Sequence, residues 1–269
     1  MERIEIDLLL EAAARLYGYD FRNYSYSFIQ RRVRHCVYKE KLGSISALQE
    51  KILRDPAVMD SLLADLSINV TEMFRDPGFF KSIRTKVVPL VKDSPKIRIW
   101  HAGCSSGEEV YSMSILLYEE GVFDKAEIFA TDINPAMLEK AKRGSFPLEE
   151  MQHYTKNYLE AGGKRAFSEY YKAVKDRVFF HPFLSEKVQF SQQDLAKGES
   201  FNNFDIILCR NVLIYFNRNL QNEVHKLLYN SLSHSGFLGL GKREGIKFNS
   251  YEDCYGEIDA SERLYRKIK

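Results

Sequence analysis

The sequence has few cysteines, and they lie far apart. Cys36, Cys104, Cys209 and Cys254 form no CxxC pair, and none has a companion histidine at metal-ligand spacing. This pattern argues against both a disulfide framework and a zinc cluster, and it favours a reducing, cytoplasmic setting. We therefore expect a protein without a bound metal.

Long apolar runs and a strong charge of one sign are also missing. No stretch reaches the ~18 consecutive apolar residues of a membrane-spanning helix, and acidic residues precede the apolar part of residues 1–20, unlike in a signal peptide. The net charge is only +2, which by itself indicates neither nucleic acid nor membrane as a partner. With 269 residues, the chain is long enough for one large domain or for a large and a small one.

Residues 1–66 carry apolar side chains at helical spacing, and the periodic segments break at Gly18, Gly43 and Asp55-Pro56. In the first segment the recurring positions are Ile4, Leu8, Ala12 and Leu16. The pattern predicts an N-terminal all-helical subdomain over 1–66. A polar linker and ligand-contacting loop is expected over 67–85, before a third region over 86–269.

The second predicted helix is basic on one side. Phe28, Ile29 and Val33 define the side that is expected to be buried. Another side carries Arg31, Arg34, His35 and Tyr38. Such a face is most often only solvated; the alternative is a docking surface for an acidic or helical partner.

Strands and helices alternate from residue 86 onward. Strands are predicted at 97–100, 127–131, 188–192, 204–209 and 236–240, and helices at 108–120, 135–143 and 218–233. This order predicts an α/β, Rossmann-like domain with a mostly parallel sheet and helices on both faces. Ligands of such sheets bind at the carboxyl ends of the strands.

The segment near 150–190 interrupts this alternation. Its stretches DRVFFHPF (176–183) and KVQF (187–190) predict short antiparallel strands of a small inserted β-subdomain. At the end of the chain, strands within 236–248 and 260–268 are expected to pair as an antiparallel hairpin with a long connection.

A glycine turn joins the first strand to the first helix of this region, in the sequence IRIWHAGCSSGEE (97–109). Gly103 and Gly107 allow the backbone to approach a small ligand closely. Glu108 and Glu109 stand where a dinucleotide would place its diphosphate, and they would repel it. Their negative charge attracts a cation, so they suit a cationic amine instead.

Two further carboxylates lie at strand ends. Asp132 follows the second strand and is placed to accept hydrogen bonds from ribose hydroxyls. Asp132 could instead cap the helix that begins at Pro135, but Asn134 is better placed for that role. Asp194 is placed to accept a bond from an adenine amino group. S-adenosylmethionine has these parts: a cationic amine, a ribose and an adenine.

Other polar side chains surround the same predicted crevice. The loop before the domain supplies Asn69, Thr71 and Arg75, and the carboxyl end of the strand 204–209 supplies Arg210, Asn211 and Tyr215.

Four motifs together resemble the CheR family, the S-adenosylmethionine-dependent methyltransferases that esterify glutamates of chemotaxis receptors. The motifs are INVTEMFRDP (68–77), IRIWHAGCSSGEEVYS (97–112), FATDINPAMLEKAKRGSF (129–146) and FDIILCRNVLIYFN (204–217). With the N-terminal helices, the resemblance covers almost the whole chain. It implies S-adenosylhomocysteine as the product and 86–269 as the methyltransferase domain.

The resemblance also implies roles for individual residues. The implied cofactor pocket comprises Asn69, Thr71, Arg75, Glu109, Asp132, Asp194, Leu195 and Asn211. Arg75 and Tyr215 would face the methyl group and the incoming glutamate, and they are the predicted catalytic residues. The helix with Arg31, Arg32 and Arg34 would dock on acidic receptor helices. The choice of Glu109 over Glu108 as the ligand contact rests on the resemblance alone.

Departures from the family pattern leave other functions open. Lys242-Arg243-Glu244 replaces a frequent His-Ser-Glu, and Asp194-Leu195 replaces a frequent Asn-Leu. The loop 173–177 is short and lacks glycine, unlike loops that grip a receptor's C-terminal tether, so we expect tether independence. Two alternatives are a methyltransferase with another substrate, and a non-catalytic module that binds S-adenosylmethionine or S-adenosylhomocysteine for signalling.

Overall fold

The computed structural model describes residues 1–67, 71–198, 203–247 and 249–269. Packing divides the chain into two compact units. The first unit comprises Met1–Ile68 with Ile214–Val224, and the second comprises Asn69–Leu213 with His225–Lys269.

The N-terminal part of the first unit is helical, as predicted. Its helices are α1 (Glu2–Tyr17), α2 (Tyr26–Lys39), α3 (Ile45–Ile52) and α4 (Pro56–Leu66). Local chemistry sets their ends: α1 stops at Gly18 in the left-handed conformation, and the side chains of Ser44 and Asp55 cap the first turns of α3 and α4. The predicted buried side of α2 is confirmed, since Phe28, Ile29 and Val33 are buried.

Helix α1 has two apolar faces, and the stripe seen in the sequence is the outer one. Ile4, Leu8 and Leu16 are more than half exposed, at 61%, 53% and 53%. The buried face instead carries Ile6, Leu9, Leu10 and Ala13. Helical spacing alone does not tell which of two apolar faces meets the core, because both repeat with the same period.

The second unit is built on a seven-stranded sheet. The strands within the described residues are β1 (Ile97–Ala102), β2 (Ala126–Asp132), β3 (Ser145–Pro147), β4 (Tyr171–Val174), β5 (Arg177–Phe180), β6 (Val188–Gln192), β7 (Phe204–Cys209), β8 (Leu232–Leu240), β9 (Tyr255–Asp259) and β10 (Leu264–Lys267). The other α-helices of the described residues are α5 (Pro77–Ser82), α6 (Val88–Val91), α7 (Glu108–Glu119), α8 (Pro135–Arg143), α9 (Met151–Glu160) and α10 (Arg218–Ser231), with a π-helical turn at Ile83–Val87.

The large sheet has the order β6-β2-β1-β7-β8-β10-β9. Its first five strands are parallel, and β10 is antiparallel to both of its neighbours. Buried apolar side chains from the central strands, such as Ile99, Ile128 and Ile206, form the core. The predicted Rossmann-like class is confirmed, and the β1, β2 and β7 carboxyl ends share one edge of the sheet.

The inserted β-subdomain exists, and DRVFFHPF supplies its strand β5, but the assignment of KVQF to it was wrong. The prediction of 188–192 as a strand of the large sheet is confirmed. KVQF belongs to β6, which pairs in parallel with β2 in the large sheet. The small sheet has the order β3-β5-β4, and α9 lies within the insertion. Period-2 alternation reports a strand but not its partner, and this explains the error.

The end of the chain has one more strand than expected, and β10 lies between β8 and β9. The predicted antiparallel pairing of β8 with β10 is confirmed. The missed strand β9 pairs with β10 at the edge of the sheet, where its side chains are mostly half-buried. Such an edge strand lacks the apolar run of a central one.

Candidate functional site

The turn after β1 requires its two glycines. Gly103 and Gly107 have φ values of +85° and +96°, a backbone region that side chains with a Cβ rarely enter. The Gly103 N–H donates to the Thr131 carbonyl at 2.8 Å. A Cβ on Gly103 would lie 2.6 Å from Cγ2 of Val212. The turn therefore packs directly against the chain that leaves β7.

Asp132 at the end of β2 holds this turn in place. Its Oδ2 accepts from the Ser105 N–H at 2.8 Å, and its Oδ1 accepts from the Asn134 N–H at 2.9 Å. Burial raises the pKa of Asp132, while its backbone hydrogen bonds act in the opposite direction. Asn134 caps α8 as predicted, since its side chain accepts from Ala136. A carboxylate with two such bonds retains acceptor capacity for ribose hydroxyls.

Glu108 and Glu109 occupy the first turn of α7 in different environments. Glu108 is buried, and the Ser106 hydroxyl donates to its two oxygens at 2.8 and 3.0 Å. Burial raises the pKa of Glu108 to about 7. Burial would also raise the pKa of Glu109, but hydrogen bonds and charge from His101 and Arg210 lower it below the ordinary value.

Glu109 is the acceptor of an ion-pair cluster that Arg210 organises. Arg210 Nη1 donates to Oε2 of Glu109 at 3.0 Å, and its Nη2 donates to Oδ2 of Asp76 at 2.8 Å. The guanidinium lies 4.1 Å above the Phe79 ring, and the side chain is 2% exposed. His101 Nδ1 lies 2.8 Å from Oε1 of Glu109 and, because a carboxylate only accepts, donates to it.

Arg210 therefore links the sheet edge to the loop that carries Arg75. Its Nη2 also donates to the Arg75 carbonyl at 3.1 Å. Direct contact between Arg210 and the cofactor stays a prediction. Sequence spacing could not reveal the partners of Arg210, because they come from two distant segments, residues 75–79 and Glu109.

Arg75 lies between two residues with left-handed backbone. Phe74 has φ +53° and Asp76 has φ +57°, and such values are outliers for a bulky side chain such as Phe74. The buried Phe74 N–H is satisfied by the Ser112 hydroxyl at 2.8 Å. Backbone strain of this kind persists where a surrounding structure enforces it, often at a functional site.

Glu244 is a site residue whose structural role sequence reasoning missed. Its carboxylate accepts four backbone hydrogen bonds, from the N–H groups of Gly241, Asn211, Val212 and Leu213, at 2.6 to 2.8 Å. Glu244 is 7% exposed. Burial raises the pKa of its carboxyl, although the four hydrogen bonds act in the opposite direction. The sequence signals were an acidic residue in a glycine turn that follows a strand, and its match to the Glu of the family's frequent His-Ser-Glu.

The structure also describes predicted cofactor contacts on two other segments, the chain after β6 and the loop before α5. Asp194 and Leu195 follow β6, and Asp194 Oδ1 accepts from the Ala196 N–H at 2.9 Å. This segment lies beside β2, since the Gln193 N–H donates to the Asp132 carbonyl at 3.0 Å. Thr71 and Arg75 are half-buried.

Two other predicted positions fall outside this set. Asn69 lies outside the described residues, and Tyr215 belongs to the first unit. The second unit thus brings Gly103, Glu108, Glu109, Asp132, Asp194, Arg210 and Asn211 to one edge of its sheet.

The chemistry of this edge fits S-adenosylmethionine. Glu108, Glu109 and Asp132 offer carboxylate oxygens to an amine, a sulfonium and a ribose, and the glycine turn admits close approach. Over the ranges that the structure describes, no group of three or more His, Cys, Asp or Glu is arranged to hold a metal. Within the same ranges, no helix has the length and apolar character needed to cross a membrane.

Comparison with known families agrees with this geometry. The model "CheR methyltransferase, SAM binding domain" matches residues 69–260, and "CheR methyltransferase, all-alpha domain" matches residues 4–67. The chain belongs to the CheR methyltransferase family. S-adenosylmethionine is accordingly its cofactor, and S-adenosylhomocysteine is the product of methyl transfer.

Named CheR relatives cover most of the chain. The putative methyltransferase Cher3 of Pseudomonas putida is 46% identical over 264 residues, which are 98% of this chain and 97% of that protein. A chemotaxis protein methyltransferase of Listeria innocua is 30% identical over 85% of each chain. Chemotaxis protein methyltransferase 1 of Pseudomonas aeruginosa is 28% identical over 90% of this chain and 89% of that protein.

Replacing Glu108 with glutamine is expected to stabilise the cofactor-free CheR-family protein at pH 8 but not at pH 4.5. The folded-state pKa of Glu108 is about 7, above the ordinary 4.5, so the folded protein holds this proton more tightly than the unfolded chain does. The carboxyl therefore lowers stability progressively as pH rises from 4.5 to 7, and fully above 7. Removing it should add on the order of 2 kcal/mol at pH 8.

Thermal unfolding at the two pH values measures this effect. The control is Glu139→Gln, at an exposed α8 residue whose side chain is 59% exposed, which should change little at either pH. An equal gain for Glu108→Gln at both pH values would contradict the assignment.

Proposed function

We propose that this CheR-family protein is a protein-glutamate O-methyltransferase. Its substrates are acidic cytoplasmic helices of methyl-accepting chemotaxis receptors or of a related signalling protein, and its products are glutamate 5-O-methyl ester and S-adenosylhomocysteine. The observation that carries the proposal is the placement of Arg75 in a strained loop whose backbone accepts a hydrogen bond from Arg210. The chain also has the CheR all-alpha domain. The names of the Listeria and Pseudomonas aeruginosa relatives support the same class.

The proposed reaction requires placement of the acceptor rather than a base. A glutamate carboxylate has a pKa near 4.3 in solution, so at neutral pH it is already a nucleophile. S-adenosylmethionine supplies an electrophilic methyl group; the carboxylate oxygen bonds to that carbon as the carbon–sulfur bond breaks. The chain must hold the oxygen about 3 Å from the methyl group and exclude water.

Arg75 is proposed to orient the acceptor carboxylate through charge-assisted hydrogen bonds, and Tyr215 through a neutral one. A tight grip by Arg75 would withdraw charge from the attacking oxygen. Its role is therefore positioning, with the second carboxylate oxygen as its partner.

Helix α2 is proposed to dock on the acidic receptor helix. Arg31 and Arg34 are exposed and Arg32 is half-buried. Arg34 already donates to both carboxylate oxygens of Glu2 at 2.7 Å, so a receptor carboxylate would compete with Glu2 for it. Exposed pairs contribute little affinity each, and the face should act mainly by steering an acidic partner.

We also propose that the enzyme works in the cytoplasm and does not depend on a receptor tether. The β4–β5 hairpin turns through Lys175, with φ +56°, and Asp176 without a glycine. This short turn offers less adaptable backbone than a glycine-rich loop would.

The test is transfer of a labelled methyl group to receptor cytoplasmic fragments of the same organism. We expect label that alkali releases as methanol, and no label on a fragment whose methyl-accepting glutamates are replaced by alanine. Removal of the receptor's C-terminal tail should leave the rate unchanged. Binding of S-adenosylhomocysteine without transfer to any receptor or other signalling protein would overturn the proposed function.

A further inference from the structure

The segment that carries Tyr215 packs with the N-terminal helices. We call Ile214–Asn217 the tyrosine segment; it follows β7 closely in sequence but belongs to the first unit. The Ser25 N–H donates to the Tyr215 carbonyl at 2.8 Å, and the Asn217 N–H donates to the Asn23 carbonyl at 2.9 Å. These bonds fix the tyrosine segment to the residues that lead into α2.

Side chains reinforce this pairing. Tyr24 and Phe216 form an antiparallel bridge pair, and their ring centroids lie 4.8 Å apart. Phe28 lies in the first turn of α2, is 5% exposed, and places its ring centroid 4.9 Å from that of Tyr215. Contacts at these distances are favourable ring–ring packing.

Phe28 also touches the basic part of α2. The Arg32 guanidinium carbon lies 5.8 Å from the centre of the Phe28 ring, within cation–π distance. One buried ring thus lies between an arginine of the docking helix and the proposed catalytic tyrosine.

We propose that Phe28 is a positioning residue for Tyr215, so that the helix that docks the receptor also sets the position of the phenol. The inference rests on the proposed function, because it needs a docked acceptor. Misplacing a reacting group by about 1 Å can lower a rate by about 100-fold. A helix that binds the substrate and holds the tyrosine keeps the distance between the two constant.

The test is a double-mutant cycle of Phe28→Leu and Tyr215→Phe, read as methyl transfer to a receptor fragment. We expect Phe28→Leu to lower kcat about tenfold in the natural background and to have no further effect in the Tyr215→Phe background, since the hydroxyl is then absent. Affinity for S-adenosylhomocysteine should stay within about twofold in all variants. The matched control is Phe123→Leu, at a phenylalanine of the second unit with 6% exposure, and it should leave kcat unchanged.

Three results would overturn the inference. They are an equal fold-loss from Phe28→Leu in both backgrounds, the same loss from Phe123→Leu, and full activity of Tyr215→Phe.

Hydrogen exchange supplies a readout that needs no substrate. Phe28→Leu should speed exchange of the Ser25 and Asn217 amides, which bond across the tyrosine segment, and Phe123→Leu should not. Unchanged exchange at both amides would also overturn the inference. If the natural protein methylates no receptor fragment, the proposed function fails, while exchange still decides whether Phe28 holds the segment.

Discussion

Replacing Arg75 with alanine is expected to lower kcat at least about 100-fold while changing the Kd for S-adenosylhomocysteine by less than about threefold. The variant lacks a preorganised charged donor for the acceptor carboxylate. Placement of that carboxylate is what the reaction most requires. Affinity should survive because the carboxylates of Glu108, Glu109 and Asp132 remain on the sheet edge. Single-turnover transfer and calorimetry measure the two quantities separately.

The rest of the Arg75 loop should keep its structure in this variant. Arg210 binds the Arg75 carbonyl and the Asp76 carboxylate, not the Arg75 side chain. The matched control is Arg143→Ala, in the last turn of α8, which should leave kcat and Kd unchanged. Equal losses of turnover and cofactor affinity in Arg75→Ala would show that Arg75 is chiefly a binding residue.

Replacing Glu244 with alanine is expected to lower the free energy of unfolding by about 4 kcal/mol, because four backbone N–H groups lose their acceptor. These donors lie in the chain leaving β7 and in the turn after β8, where the carboxylate is 7% exposed. Removing one partner of a buried charged network leaves the others uncompensated. Urea denaturation, with the midpoint and the slope both fitted, measures the change.

Glu244→Gln removes the negative charge of the side chain but keeps its shape. The amide keeps one acceptor oxygen but turns an NH₂ group toward the remaining N–H donors, so we expect a loss of about 2 kcal/mol. Glu257→Ala, at an exposed residue of β9, is the control and should change stability by less than about 0.5 kcal/mol. A loss of similar size in Glu244→Ala and Glu257→Ala would remove the structural role that we assign to Glu244.

Local pattern predicted most of the framework. The alternation at 97–100, the glycines of the turn and the apolar period of α7 are all read within a dozen residues, and each is confirmed. The Asn134 cap was predictable for the same reason, because a side chain that bonds its own helix start needs no distant partner.

Errors arose where a local pattern had two possible partners. The alternating residues of β6 fit an antiparallel subdomain and a parallel sheet equally well, and pairing with β2 decided between them. The outer stripe of α1 has the same helical period as its buried face, so only packing distinguishes Ile4 and Leu8 from Ile6 and Leu9.

The sequence by itself determined the chemistry available at the sheet edge. Paired glutamates after a glycine turn and an aspartate after the next strand would repel a phosphate and suit a cationic nucleoside. Only the tertiary structure decided how these groups are held: Arg210 on Glu109 and Asp76, and Glu244 on four backbone N–H groups. Within the first unit, it likewise decided that the Phe28 ring packs on the Tyr215 ring. Residue type and spacing fix local hydrogen bonds and charge, whereas contacts between residues tens to hundreds of positions apart depend on strand register and packing, which no local pattern records.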